Sequence, residues 1–107
     1  MSHDYEAQRA ETFATFVELR QDADLPAMAV VHFLFYAEDM DPDWGPVEKA
    51  LQAKGFTTRR EVDEGMLEAS IGPIAVTPES IWQFERQSTE IALRSDFYPD
   101  GWDMLAD

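Results

Sequence analysis

Residues 28–37, Met-Ala-Val-Val-His-Phe-Leu-Phe-Tyr-Ala, constrain the fold more than any other segment. Successive side chains of an extended chain alternate, so Val31, Phe33 and Phe35 share one face and Val30, His32, Leu34 and Tyr36 the other. Both faces are largely apolar. A strand of this kind belongs at the centre of a sheet, with at least partial cover on its second face. The first helix, or a partner, is the expected source of that cover.

The segments on either side supply the rest of a sheet and its helices. Residues 4–21 predict a helix, with Phe13, Phe16, Val17 and Arg20 at helical spacing, broken by Asp22-Ala23-Asp24-Leu25-Pro26. Asp41 or Asp43 can cap a helix over 44–54 that presents Trp44, Val47 and Leu51, with Pro46 in its first turn and Gly55 after its end. Phe56–Val62 reads as a polar edge strand. Asp63-Glu64-Gly65 reads as a hairpin turn, Met66–Ile71 as the returning strand, and Gly72-Pro73 as its break or bulge. Thr77-Pro78-Glu79 opens a helix to Arg94 with cap, proline and acid in sequence, and Ile81, Phe84, Ser88 and Ile91 form its inner stripe. A short last strand is expected over Trp102–Leu105. The order is a helix followed by βαββαβ, which predicts an α+β fold: a ferredoxin-like sandwich with an extra N-terminal helix. At 107 residues the chain is expected to be one domain, with 1–24 as the added helix and 28–105 as the body.

Charge narrows the function. The net charge is −14, from 22 acids against 8 bases, and the acids are spread over the whole chain. Hydrophobic content of 45% argues for a folded body despite that charge. A surface so negative repels nucleic acid and anionic membranes and attracts basic partners, although solubility or adaptation to a salty medium accounts for the acidity equally well. There is no cysteine, which excludes disulfides, thiolate catalysis and cysteine metal sites. The first residues lack a basic stretch followed by an apolar run, and Ala27–Ala37 is too short to span a bilayer, so a soluble cytoplasmic protein is expected.

Motifs for chemistry fail on inspection. Asp39, Asp41 and Asp43 alternate like the start of a calcium loop, but the required glycine is Trp44 and the closing acid is Ala50. His3 and His32 are the only histidines, and a lone imidazole in a strand is usually structural. Ser70 and Ser80 sit in no nucleophile elbow, Glu68 has no specified partner acid, and the five glycines form no phosphate loop. Arg59 and Arg60 are adjacent in a strand and face opposite ways, so they make no shared phosphate clamp, and Phe33 and Tyr36 are better read as packing than as base platforms. A non-enzymatic protein without cofactor or metal is the expectation.

The end of the chain is unusual. Phe97-Tyr98-Pro99-Asp100-Gly101-Trp102 packs three aromatics around turn chemistry, where most termini are polar and frayed. With Val30–Tyr36, Val47–Lys54 ending in Gly55-Phe56, Met66–Ile71 and Pro78–Arg94 before it, this tail resembles the family of the regulator of ribonuclease E activity B, over residues 28–105. That family usually has tyrosine directly before Asp-Gly-Trp, whereas Pro99 intervenes here.

The resemblance implies a small acidic regulator that binds and inhibits the ribonuclease. It implies a partner-binding role for Tyr98, Asp100 and Trp102, and the expected partner is a basic segment of a ribonuclease or RNA-processing protein. Glu38, Asp39, Asp41 and Asp43, an acidic loop beside Trp44, are the next candidates for partner binding. Structural roles compete: Trp102 closing the core, Asp100 serving the turn, the loop acids capping a helix. The alternative is a ligand-binding or enzymatic domain of the same fold that dimerises through its sheet.

Overall fold

The computed structural model describes residues 3–106. In order they form α1 (Tyr5–Asp22), β1 (Met28–Ala37), α2 (Trp44–Ala53), β2 (Thr57–Glu61), a 3₁₀ turn (Val62–Glu64), β3 (Met66–Ala75), α3 (Pro78–Leu93) and β4 (Phe97–Ala106). The strands make one four-stranded sheet in the order β2-β3-β1-β4, antiparallel at every pairing. Three helices on such a sheet place the protein in the α+β class.

β1 is central, as its two apolar faces require. Val31, Phe33 and Phe35 are fully buried, and they meet Val47 and Leu51 of α2, Ile81 and Ile91 of α3, and Phe16 of α1 in a single core. Phe56, just before β2, stands edge-on to both Phe33 and Phe84, each at 6.4 Å between ring centroids, and so ties the sheet to α3. Edge-to-face packing of this kind adds to simple area burial.

The expected cover for the second face of β1 is absent among the described residues. α1 joins α2 and α3 on the first face, because of its two buried side chains Phe16 enters the common core and Thr12 meets Glu85 of α3. Phe13 is only partly buried and Val17 is 52% exposed, so of the expected apolar stripe of α1 only Phe16 lies fully on its docking face. Val30, His32 and Leu34 therefore remain partly exposed and Tyr36 exposed, on an open sheet face.

Local signals otherwise act as the residue types dictate. Asp4 caps α1 by accepting from the Ala7 N–H at 3.0 Å, and Thr77 caps α3 by accepting from Ser80 N–H at 3.1 Å. Thr57–Glu61 lies at the sheet edge and pairs with Met66–Ser70, joined by the 3₁₀ turn and Gly65 in the left-handed region at φ 65°. Arg60 donates twice to Glu48, at 2.9 and 2.6 Å, and so fixes α2 against that edge. Gly72 sits at a register shift where β3 opposes Ala29 and Val31, at φ 142°. A Cβ there would stand 2.8 Å from the carbonyl oxygen of Ala29, so only glycine fits the close approach.

The tail departs from expectation. β4 pairs with β1 along almost its whole length, and the register slips between Phe35↔Pro99 and Phe33↔Trp102. Pro99-Asp100-Gly101 is thus a bulge within a strand rather than a turn before a short one, with Gly101 at φ 102°. Long-range pairing with β1 overrides the local turn chemistry. Among the described residues no helix is long and apolar enough to cross a membrane.

Candidate functional site

The residues expected to bind a partner divide between two recesses. The first lies where β1 ends. Ala37 donates its N–H to the Gly65 carbonyl at 2.9 Å, which brings the 38–43 loop against the 3₁₀ turn. Glu38, Asp39 and Asp41 from the loop and Asp63 and Glu64 from the turn line a groove of about 360 Å³, together with Pro42, Trp44 and Val62. None of its lining residues is lysine or arginine. Met40 is wholly exposed at the groove and Val62 is 63% exposed, so apolar contact area stands among the carboxylates.

Three of the four loop acids therefore converge, and the fourth does not. Asp43 occupies the position before α2, but its side chain makes no capping hydrogen bond. The expectation that Asp41 or Asp43 caps α2 through its side chain fails for Asp43, whose carboxylate is exposed to solvent. Trp44 is half-buried: its ring lies 5.2 Å from that of Phe97, with the Arg60 guanidinium 5.6 Å from its centroid. It forms a wall of the groove and packs the core at once.

Tyr98 belongs to this end of the molecule. It pairs with Tyr36 across β1 and β4, with ring centroids 5.8 Å apart on the open sheet face. Its hydroxyl pKa is raised, first by the carboxylate of Glu38 and then by desolvation, Asp96, Tyr36 and Asp39. The cause is a field of neighbouring negative charge, which disfavours a phenolate.

Asp100 and Trp102 line the second recess, a cleft of about 450 Å³ between α1 and β4. The bulge explains the division, because Tyr98 faces the open side of the sheet while Trp102 turns toward α1. The Trp102 indole is half-buried against the core and donates from Nε1 to Thr12 Oγ1 at 3.3 Å. Asp100 is exposed at the bulge.

Sequence reading missed the floor of this cleft. Glu85 of α3 is 4% exposed, and the Thr12 hydroxyl donates to its Oε1. Gln8 donates from Nε2 to Glu85 Oε2 at 3.2 Å and to Thr89 Oγ1 at 3.0 Å. His3 lies within hydrogen-bond distance of Gln8 Oε1, at 2.6 Å from its Nε2, so the start of the described chain is tied down rather than loose. Burial pushes the Glu85 carboxyl above its ordinary value; Thr12 and Gln8 lower it, Glu11 raises it and His3 lowers it. One signal was available in the sequence: Glu85 follows Ile81 by four residues and precedes Ser88 by three, which places an acid on the inner stripe of α3.

On the open face, His32 Nδ1 is 2.6 Å from Ser70 Oγ and 3.1 Å from Glu68 Oε1, and Ser70 donates to Glu68 at 3.2 Å. Serine, histidine and acid meet here, yet both contacts fall on the same ring nitrogen. A proton relay needs one partner on each nitrogen, so this cluster lacks the geometry of nucleophilic catalysis. No group of three or more histidines and carboxylates positioned to hold a metal occurs among the described residues. No protein-family model matches this chain, and no curated protein matches it.

Proposed function

We propose that this protein is a non-enzymatic regulator whose acidic groove holds a basic segment of another protein, and that the segment belongs to a ribonuclease or RNA-processing enzyme. One observation carries the reading: five carboxylates from two loops surround a groove with no lysine or arginine in its lining, beside exposed Met40 and Val62. Such a surface steers a basic chain to the groove by long-range attraction, and apolar contact then holds it. Tyr98, beside Glu38, extends the contact area onto the open sheet face. The resemblance of the tail to the regulator of ribonuclease E activity B supplies the identity of the target. The strand order β2-β3-β1-β4 supports a ferredoxin-like sandwich with α1 as the added helix, in keeping with that resemblance. A cytoplasmic setting follows from such a partner.

The test is binding of the purified chain to a ribonuclease assembly at rising salt. Affinity falls steeply between low and high ionic strength, because exposed charges are screened. The triple variant Asp39→Asn, Asp41→Asn, Asp63→Asn weakens binding, whereas Glu6→Gln, Glu18→Gln, Asp22→Asn on α1 removes the same charge and leaves it nearly intact. Salt-independent binding, equal loss in both triples, or no binding refutes the proposal. The open face with Val30, Leu34 and Tyr36 favours one second reading, a dimer formed through the sheet. Sedimentation showing a concentration-independent monomer rejects it.

A further inference from the structure

We propose that the cleft between α1 and β4 is a second binding site, selective for an organic ammonium ion, with Glu85 as the buried counter-ion. It is separate from the acidic groove and does not rest on the regulator reading.

The argument begins with an incomplete charge balance. Glu85 is almost wholly buried and lines the cleft, yet it is in none of the ion pairs formed among the described residues. Its two oxygens accept one neutral hydrogen bond each, from Thr12 and from Gln8. A carboxylate has about four acceptor sites, so capacity is left over at both oxygens. A buried carboxyl is either neutral or paired with a cation, so an ammonium ion reaching this cleft would convert Glu85 from the first state to the second.

The surroundings add further negative charge. Asp4, Glu11 and Asp100 also line the cleft, and His3 is the one residue in the lining that can carry a positive charge. Desolvation raises the Glu85 pKa and so favours the neutral carboxyl, whereas an ammonium ion beside it would favour the charged form.

Size and geometry select the kind of cation. No three histidine or carboxylate groups among the described residues converge as metal ligands, which disfavours a small divalent ion needing several oxygens at short range. A volume of about 450 Å³ is that of a small-molecule pocket. Trp102 forms one wall and its indole is held by Thr12, giving a fixed ring beside the cation. A primary ammonium on a short alkyl chain matches all three features: one end bonds Glu85, the chain lies by the indole, and Asp100 or Glu11 takes a second charge at the rim.

The experiment titrates the full chain with 1,4-diaminobutane and, in a second arm, with N-acetyl-lysine methylamide, at about 0.15 M salt. The two arms distinguish a free amine from the side chain of a peptide, and saturable binding in either supports the site. Calorimetry gives the affinity, and the indole N–H resonances give the location. The expected result is one saturable site, a shift at Trp102 and none at Trp44, and at least tenfold weaker binding in Glu85→Gln. Asp100→Asn, at an exposed position, gives a smaller loss and guards against misfolding of the first variant. Glu18→Gln with Asp22→Asn, at positions that line neither recess, leaves the affinity unchanged. Linear, unsaturable binding overturns the proposal, as does affinity independent of Glu85, a shift at Trp44 instead of Trp102, or equal occupancy by magnesium.

Discussion

Truncating Phe16 to alanine detaches α1 without unfolding the rest. Phe16 is 2% exposed and is the only large apolar side chain of α1 that is fully buried; Val17 is 52% and Leu19 36% exposed. Removing a buried phenylalanine costs about 3–5 kcal/mol. What then remains to hold the helix is mostly polar: Thr12 and Gln8 on Glu85, Gln8 on Thr89, and Trp102 on Thr12, with only the partly buried Phe13 and Tyr5 beside them, the latter under the Arg86 guanidinium. Each such bond contributes about 1 kcal/mol net. An isolated helix of 18 residues is marginal in water. The loss at Phe16 is thus comparable to the roughly 4 kcal/mol that these four hydrogen bonds supply. Native-state hydrogen exchange is the assay, because it reads local and global opening separately. At about 1.4 kcal/mol per tenfold, amide protection in α1 falls roughly a hundred- to several-thousand-fold. The residual protection of β1 and β3 stays well above that of α1. Residual protection in the variant that is no lower in α1 than in the sheet refutes the reasoning, as does retention of full α1 protection.

Three further outcomes follow from single features. Glu85→Gln changes how stability depends on pH: burial raises the folded carboxyl pKa, so the folded state binds the extra proton and the carboxyl's contribution is largest below its unfolded value and falls as pH rises through the folded one. In chemical denaturation the stability of the variant relative to the parent therefore falls as pH drops from 7 toward about 4; a relative stability that rises on acidification contradicts the assignment. Gly72→Ala lowers stability by at least about 2 kcal/mol in urea titration, from the contact with the Ala29 carbonyl and the positive φ, and a neutral effect contradicts the bulge geometry. Trp102→Phe costs about 1–2 kcal/mol in thermal unfolding, from lost packing and the lost bond to Thr12, and Trp102→Ala costs more because the ring is half-buried against the core; equal effects of the two contradict the packing role.

Much of the fold was legible because it is written in short-range pattern. The alternation of Val31, Phe33 and Phe35 marked the core face of β1, and Thr77-Pro78-Glu79 marked the start of α3. The errors share a different cause. Phe13, Phe16 and Val17 suggested an apolar stripe on α1; Phe16 is buried, but it is Thr12 that is buried with it, because the partners of Thr12, Glu85 and Trp102, lie 73 and 90 residues away. Pro99-Asp100-Gly101 carries turn residues, and only pairing with β1 makes it a bulge. The candidate site divided for the same reason. Glu38, Asp39 and Asp41 were recognisable as a loop, whereas Asp63 and Glu64 join them only through the hairpin. A buried acid such as Glu85 is hidden among 22 acids until the helix is packed.

The bulge in β4 also governs how other chains can approach. An edge strand normally offers a ladder of free N–H and C=O groups on which an incoming strand can grow. On β4, Pro99 has no N–H to offer and the step at Asp100-Gly101 breaks the spacing of the groups that follow. The opposite rim is only five residues long and carries Arg59, Arg60 and Glu61. Backbone pairing with a foreign strand is thereby disfavoured at both margins. A chain that leaves Val30, Leu34 and Tyr36 on an open sheet face gains from this protection, since filament growth by strand addition is disfavoured at its two starting points.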